Sequence, residues 1–215
     1  MIISPGRKFI FVHIPKTGGT ALSLALEDRA MKDDILIGDT PKAKRRRGRL
    51  QGAKTAGRLW KHSTLADIEG LIDPDDLDGM VLFTLVRNPW DRLVSYYHWL
   101  KEQGFDHPAV DLANELSFEG FVRHPHTAQS IRANSYGSYL RDGTGRERDA
   151  LFIRLEHLAE DLRPLEDHLG FKLDQIPRFN ASNRARDHRA YYDGQTKLWA
   201  ENLCKEDITR FGYSF

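Results

Sequence analysis

The sequence is poor in the features that staple or anchor a chain. It has a single cysteine, Cys204, so no internal disulfide framework is possible and the composition leans toward a reducing compartment. Its longest apolar stretches, such as Phe9–Val12 and Val81–Val86, are four to six residues, far below the ~20 that span a bilayer. Only Arg7 and Lys8 precede the first of them, and no apolar segment of about 7–15 residues marks a secretory signal. A cytoplasmic protein without a membrane partner is the expectation. No Cys/His cluster has zinc-ligand spacing, so no metal is expected. Neither a repeat nor a Ser/Pro-rich linker interrupts the chain, which predicts one domain over 1–215. With 215 residues, 40% of them hydrophobic, that domain can bury a core without staples.

Net charge is also scarce, at +1, but its distribution is uneven. Lys42, Lys44, Arg45, Arg46, Arg47, Arg49, Lys54 and Arg58 lie in one stretch with no acid among them, so the rest of the chain is net acidic. Such a run is commonly a solvated, mobile loop. It also suits a clamp for an anionic ligand. We read 42–58 as a basic, mobile insertion, more a lid than an attractor for an acidic acceptor.

The remaining pattern alternates strands and helices. Phe9–Ile14 is a continuous apolar run typical of a buried strand, broken at Pro15. After Lys16-Thr17-Gly18-Gly19-Thr20 the residues Ala21, Leu22, Leu24, Ala25 and Leu26 favour a helix. Val81–Val86 predicts a central strand, and Asn88-Pro89 supplies an N-cap with proline at the first helical position. Trp90, Leu93, Val94, Tyr97 and Leu100 then recur at helical spacing, giving an apolar face assigned to the sheet. Residues 150–155 predict a third strand, and helical turns follow to Leu169, restarted by Pro164 and ended by Gly170. A last helix is predicted over about 196–210. The order implies an α/β fold with a central parallel β-sheet flanked by helices on both faces. Ligands in such sheets bind beyond the carboxyl ends of the strands, where both the 15–20 and 87–91 turns belong.

The first turn has the parts of an anion site: two glycines, N–H groups at a helix start, a lysine and two threonine hydroxyls. Lys16 precedes both glycines, so the usual ATP-binding order Gly-x-x-x-x-Gly-Lys-Ser/Thr is absent. In the second turn Arg87 offers paired donors to a tetrahedral anion, and Ser95 lies two helical turns beyond Asn88. Asp91 stands where a carboxylate favours a helix start for structural reasons alone, and Arg92 can pair with surface acids.

Phe11-Val12-His13-Ile14-Pro15-Lys16-Thr17-Gly18-Gly19-Thr20 and the stretch from Leu85 through Arg87-Asn88-Pro89-Trp90-Asp91-Arg92 to Ser95-Tyr96-Tyr97 resemble the two cofactor motifs of sulfotransferases, in the carbohydrate branch and its soluble bacterial relatives. Phe152-Ile153-Arg154-Leu155-Glu156-His157-Leu158 and the 207–215 ending are similar to further family segments, so the likeness spans most of the chain. The resemblance implies a P-loop-like sheet and 3'-phosphoadenosine 5'-phosphosulfate (PAPS) as sulfonate donor. Carried onto this sequence, Lys16, Thr17, Gly18, Gly19 and Thr20 would hold the 5'-phosphosulfate, with Lys16 also catalytic, and Arg87 and Ser95 the 3'-phosphate. A late basic loop, 180–189, would add Arg184 or Arg186. For the base that accepts the acceptor's proton, His62 leads because it lies between the motifs in polar sequence, and an imidazole titrates near ~6.5. His13 is the rival but sits in a strand run; Glu27 and Asp28 stand behind it.

The acceptor implied is a saccharide-like hydroxyl, or another small molecule. Two other readings compete. An ATP-dependent kinase is disfavoured by the lysine position and by the lack of a strand-end carboxylate for Mg²⁺. A polyanion-binding protein would use Lys42–Arg58, but only Trp60 stands near for stacking, so no nucleic-acid partner is expected.

Overall fold

The computed structural model describes residues 1–173, 176 and 184–215. In chain order its elements are β1 (Ile2–Ser4), β2 (Phe9–Val12), α1 (Gly19–Asp28), β3 (Ile35–Leu36), α2 (Pro41–Arg46), α3 (Pro74–Asp78), β4 (Val81–Val86), α4 (Pro89–Lys101), α5 (Pro108–Glu115), α6 (Phe118–Arg123), α7 (Pro125–Ala133), β5 (Leu151–Arg154), α8 (Leu158–Asp161), α9 (Arg163–Leu169), α10 (Gly194–Leu203) and α11 (Lys205–Phe211). The chain divides into two compact units. One comprises 1–86 and the described part of 136–179, the other 87–135 and the described part of 180–215.

The first unit carries the whole sheet, in the order β3-β1-β2-β4-β5. β2, β4 and β5 pair in parallel, as the βα alternation requires. The edge departs from the expected parallel sheet, because β1 is antiparallel to both β2 and β3 and the sheet is mixed. Strands of three and two residues are too short for periodicity to reveal. The turn that creates the edge hairpin is nonetheless in the sequence: Ser4-Pro5-Gly6-Arg7 is followed by Lys8 at φ 53°, whose N–H donates to the Pro5 carbonyl.

The central strands are buried on both faces. On one, Phe9 and Phe11 of β2, Phe83 and Leu85 of β4 and Ile153 of β5 pack with Leu22 and Leu26 of α1, Ala43 of α2 and Leu165 of α9. The parallel register sets Phe11 beside Phe83, with ring centroids 5.2 Å apart. Thr84 is buried mid-strand and its hydroxyl donates to the Val12 carbonyl at 2.7 Å, which removes the cost of its burial. The ladder of β2 ends at Val12, two residues before the apolar run does.

The basic run forms α2 and a 3₁₀ turn over Arg47–Leu50. Thr40 caps α2 by accepting from the Ala43 N–H at 3.1 Å. Lys42 donates to the Glu27 carbonyl, Arg46 to the Met31 and Asp34 carbonyls, and Arg49 to the Lys32 carbonyl. Cations are thus drawn to carbonyls at and just beyond the C-terminal end of α1, where helical carbonyls lack intrahelical donors.

In the second unit, Pro89, Pro108 and Pro125 each open a helix behind a side-chain cap from Asn88, His107 and His124. The apolar face of α4 is the one the sequence predicts, but it packs within this unit, with Ala109, Val110, Phe118, Phe121, Val122, Ala200 and Leu203. The single last helix expected over 196–210 is two, α10 and α11, meeting at Cys204 with φ −107° and ψ 20°. No glycine or proline marks that break. Among the described residues no helix is long and apolar enough to cross a membrane.

Candidate active site

The 15–20 turn belongs to the sheet unit and joins β2 to α1. Lys16 adopts φ 65°, a left-handed conformation that costs a non-glycine residue about 1–2 kcal/mol, and Gly18 follows at φ 89°. Thr17 is fully buried and its hydroxyl donates to the Ile14 carbonyl at 2.9 Å, so it fixes the turn and leaves the backbone to face a ligand. Gly18 stands at the N-cap of α1 and supplies no side-chain hydrogen bond, and the first helical turn carries no acid. The helix therefore starts with N–H groups that no side chain caps, at the positive end of its dipole. Gly19 is required by a neighbour: a Cβ there would lie 2.2 Å from the His13 ring.

His13 is buried and stacks on Phe11, with centroids 5.8 Å apart. Burial pushes its pKa well below the ordinary imidazole value, reinforced by the N-terminal amine, His62 and Lys61. It is thus a neutral packing residue, as its strand context suggests. His62 meets it edge-on at 4.7 Å and, through Nδ1, hydrogen-bonds the His13 carbonyl at 2.8 Å. A carbonyl only accepts, so the neutral His62 ring carries its proton on Nδ1 and its lone pair on Nε2. That tautomer is the one a general base needs, and the structure brings it to the strand end that leads into the anion turn.

The carboxylate rivals lie elsewhere. Glu27 and Asp28 end α1, more than about 10 Å along its axis from Gly19 at 1.5 Å per residue. Glu27 is buried and raised in pKa by that burial, and its carboxylate accepts from the Thr40 hydroxyl at 2.7 Å.

In the helical unit, Arg87 precedes Asn88, the N-cap that closes the N-terminus of α4 by accepting from the Trp90 and Asp91 N–H groups. Arg87 donates to Asp91 Oδ2 from Nε at 2.8 Å and from Nη2 at 2.5 Å, while Arg184 donates to Asp91 Oδ1 from Nη2 at 2.7 Å. The carboxylate of Asp91 thus links two guanidiniums. Burial raises its pKa, but Arg87 and Arg184 outweigh that and hold it below the usual carboxylate range. The Arg184 side chain is only 10% exposed, and its Nη1 is buried with no partner among the described residues. Nε2 of His98 and of His188 are in the same state, and burial depresses both imidazoles, with Arg184 close enough to contribute. Ser95 is buried on α4.

Each sequence-predicted residue can now be placed. Lys16, Thr17, Gly18, Gly19, Thr20 and His62 belong to the sheet unit; Arg87, Ser95 and Arg184 belong to the helical unit, where one carboxylate joins the two arginines. Arg186 is exposed, and residues 180–183 of the late basic loop lie outside the described residues. Asp91 is the residue sequence reasoning undervalued. Its i,i+4 spacing from Arg87 was the available signal. Arg154, in a family-like segment, donates from Nε to Asp161 at 2.8 Å and thereby ties β5 to α8.

Comparisons with known proteins bear on the family and the fold. A search of curated protein sequences finds no match. Among solved structures, mouse sulfotransferase SULT7A1 complexed with PAP aligns over 96% of this chain and 85% of its own, with a TM-score of 0.53 at 18% identity. Retinol dehydratase, in complex with androsterone and the inactive cofactor PAP, aligns over 99% of this chain and 83% of its own, with a TM-score of 0.50 at 16% identity. At these identities the likeness is one of fold. The model of the sulfotransferase family matches residues 1–214. The chain accordingly belongs to the sulfotransferase family.

Proposed function

We propose that the protein transfers a sulfonate group from PAPS to a hydroxyl of a small, saccharide-like acceptor by in-line displacement, with Lys16 and His62 as its catalytic residues. The observation that carries the reading is the 15–20 turn, where a strained lysine and an uncapped helix start offer one anion site. Each anionic end of such a donor, taken by itself, has residues suited to it. Lys16, Gly18, Gly19 and Thr20, with the Thr17 backbone, suit a 5'-phosphosulfate, and Arg184 Nη1, without a partner among the described residues, suits a 3'-phosphate together with Arg87 and Ser95. PAPS supplies the sulfonate and a phosphate leaving group. Lys16 neutralises the charge that grows on the leaving phosphate oxygen, a contact worth most in the transition state. His62 takes the acceptor's hydroxyl proton at Nε2, in the tautomer its bond to the His13 carbonyl enforces.

Calorimetric titration with adenosine 3',5'-bisphosphate tests the nucleotide half, and absence of binding overturns the reading. Turnover with PAPS over a panel of hydroxylated saccharides and small alcohols tests the acceptor half. His62→Ala should bind the bisphosphate as the unaltered protein does and lose about 10²–10⁴-fold in turnover. Unchanged turnover removes His62 as the base.

A further inference from the structure

Asp91 takes no part in the roles assigned above, although it bonds two of the proposed phosphate ligands. Its Oδ2 accepts from Nε and Nη2 of Arg87, and its Oδ1 accepts from Nη2 of Arg184. These side chains are mostly buried, with Arg87 15%, Asp91 20% and Arg184 10% exposed. Two cations held that far from water repel unless an anion lies between them. The two arginines also come from distant parts of the chain, one just before α4 and the other within the late basic loop. No other described side chain is recorded as an ion-pair partner of Arg184.

We propose that Asp91 is a positioning residue for the 3'-phosphate: it holds Arg184 against Arg87 so that Arg184 Nη1, which it does not occupy, is already arranged for a second anion. This rests on the nucleotide reading given above. The burial of Nη1 without a partner among the described residues is what distinguishes the arrangement from an ordinary ion pair, because a structural pair leaves no reason for a charged donor to be buried unsatisfied. Two electrostatic effects oppose each other. Removing the carboxylate lessens repulsion toward an incoming phosphate, and it also frees Arg184 to leave. Arg184 has a long side chain with large rotamer entropy, so release wins and phosphate recognition weakens.

The test is a double-mutant cycle read as the preference for adenosine 3',5'-bisphosphate over adenosine 5'-phosphate, measured by calorimetry. The monophosphate serves as control, since a general loss of structure lowers both affinities. Arg184→Ala is expected to reduce the preference about tenfold or more in the otherwise unaltered protein. In an Asp91→Asn background the preference is already reduced, and Arg184→Ala changes it less than about twofold. An undiminished or increased preference in Asp91→Asn, or an equal effect of Arg184→Ala in both backgrounds, overturns the inference while leaving the nucleotide reading intact. Should Asp91→Asn fail to fold, Asp91→Glu keeps the charge but displaces it by one methylene; a lowered preference supports the role and an unchanged one overturns it. If the unaltered protein shows no preference for the bisphosphate, or Arg87→Ala retains it, the nucleotide reading itself fails and the inference with it.

Discussion

Two strand-to-helix turns in this chain solve the same problem in opposite ways. After β2, the 15–20 turn enters α1 through two left-handed residues, Lys16 and Gly18, the second of which is the N-cap and offers no side-chain acceptor to the helix N–H groups. After β4, Asn88 caps α4 with its own side chain, and the nearby charge resides in Arg87 and Arg184 around Asp91. In the proposed reading the first turn recognises an anion with backbone and helix dipole, the second with guanidiniums. Backbone recognition demands strain and small residues. Guanidinium recognition demands a counter-ion to keep the cations in place.

That contrast can be broken at several points. The largest effect is expected from Lys16→Ala, which should lower turnover about 10²–10³-fold while bisphosphate binding, measured by calorimetry, changes far less. An equal loss in both would make Lys16 a ground-state ligand only. Gly19→Ala comes next, because its Cβ meets the buried His13 ring at 2.2 Å. A stability loss of about 1–3 kcal/mol is expected in denaturant unfolding, together with weakened nucleotide binding. Asn88→Ala removes a cap and should cost about 0.5–2 kcal/mol of stability, with no change in Lys16-dependent turnover. A change in turnover as large as that of Lys16→Ala would show that the two turns do not act separately.

The smallest effect concerns pH. His13 has a native pKa below the unfolded value of about 6.5, so below that pH the unfolded chain binds more protons and stability falls with acidification. His13→Gln should flatten the decline of the melting temperature between about pH 6.5 and 5. A slope identical to that of the unaltered protein would place the acid sensitivity elsewhere, His98 and His188 being next in line.

The parallel strands and α4 were legible because their signals are local. Val81–Val86 is a continuous apolar run, and Asn88-Pro89 followed by Trp90, Leu93, Val94, Tyr97 and Leu100 fixes both the start and the face of a helix. The edge pair β1 and β3 was not legible, since five residues in two strands carry no period. The break at Cys204 escaped for a similar reason, having no breaker residue. At the candidate site the residue types and their order could be read, whereas Asp91 read as a helix-start carboxylate because its second partner, Arg184, lies 93 positions away.

Sequence alone determined that this is an α/β chain with two anion-suited turns, because strand runs, glycines, caps and helical periodicity act within a few residues. Tertiary structure alone decided that the His13 ring requires Gly19, that the His13 carbonyl sets the His62 tautomer, and that one carboxylate joins two arginines. Those facts depend on burial and, for His62 and Arg184, on contacts across 49 and 93 positions, which no local pattern encodes.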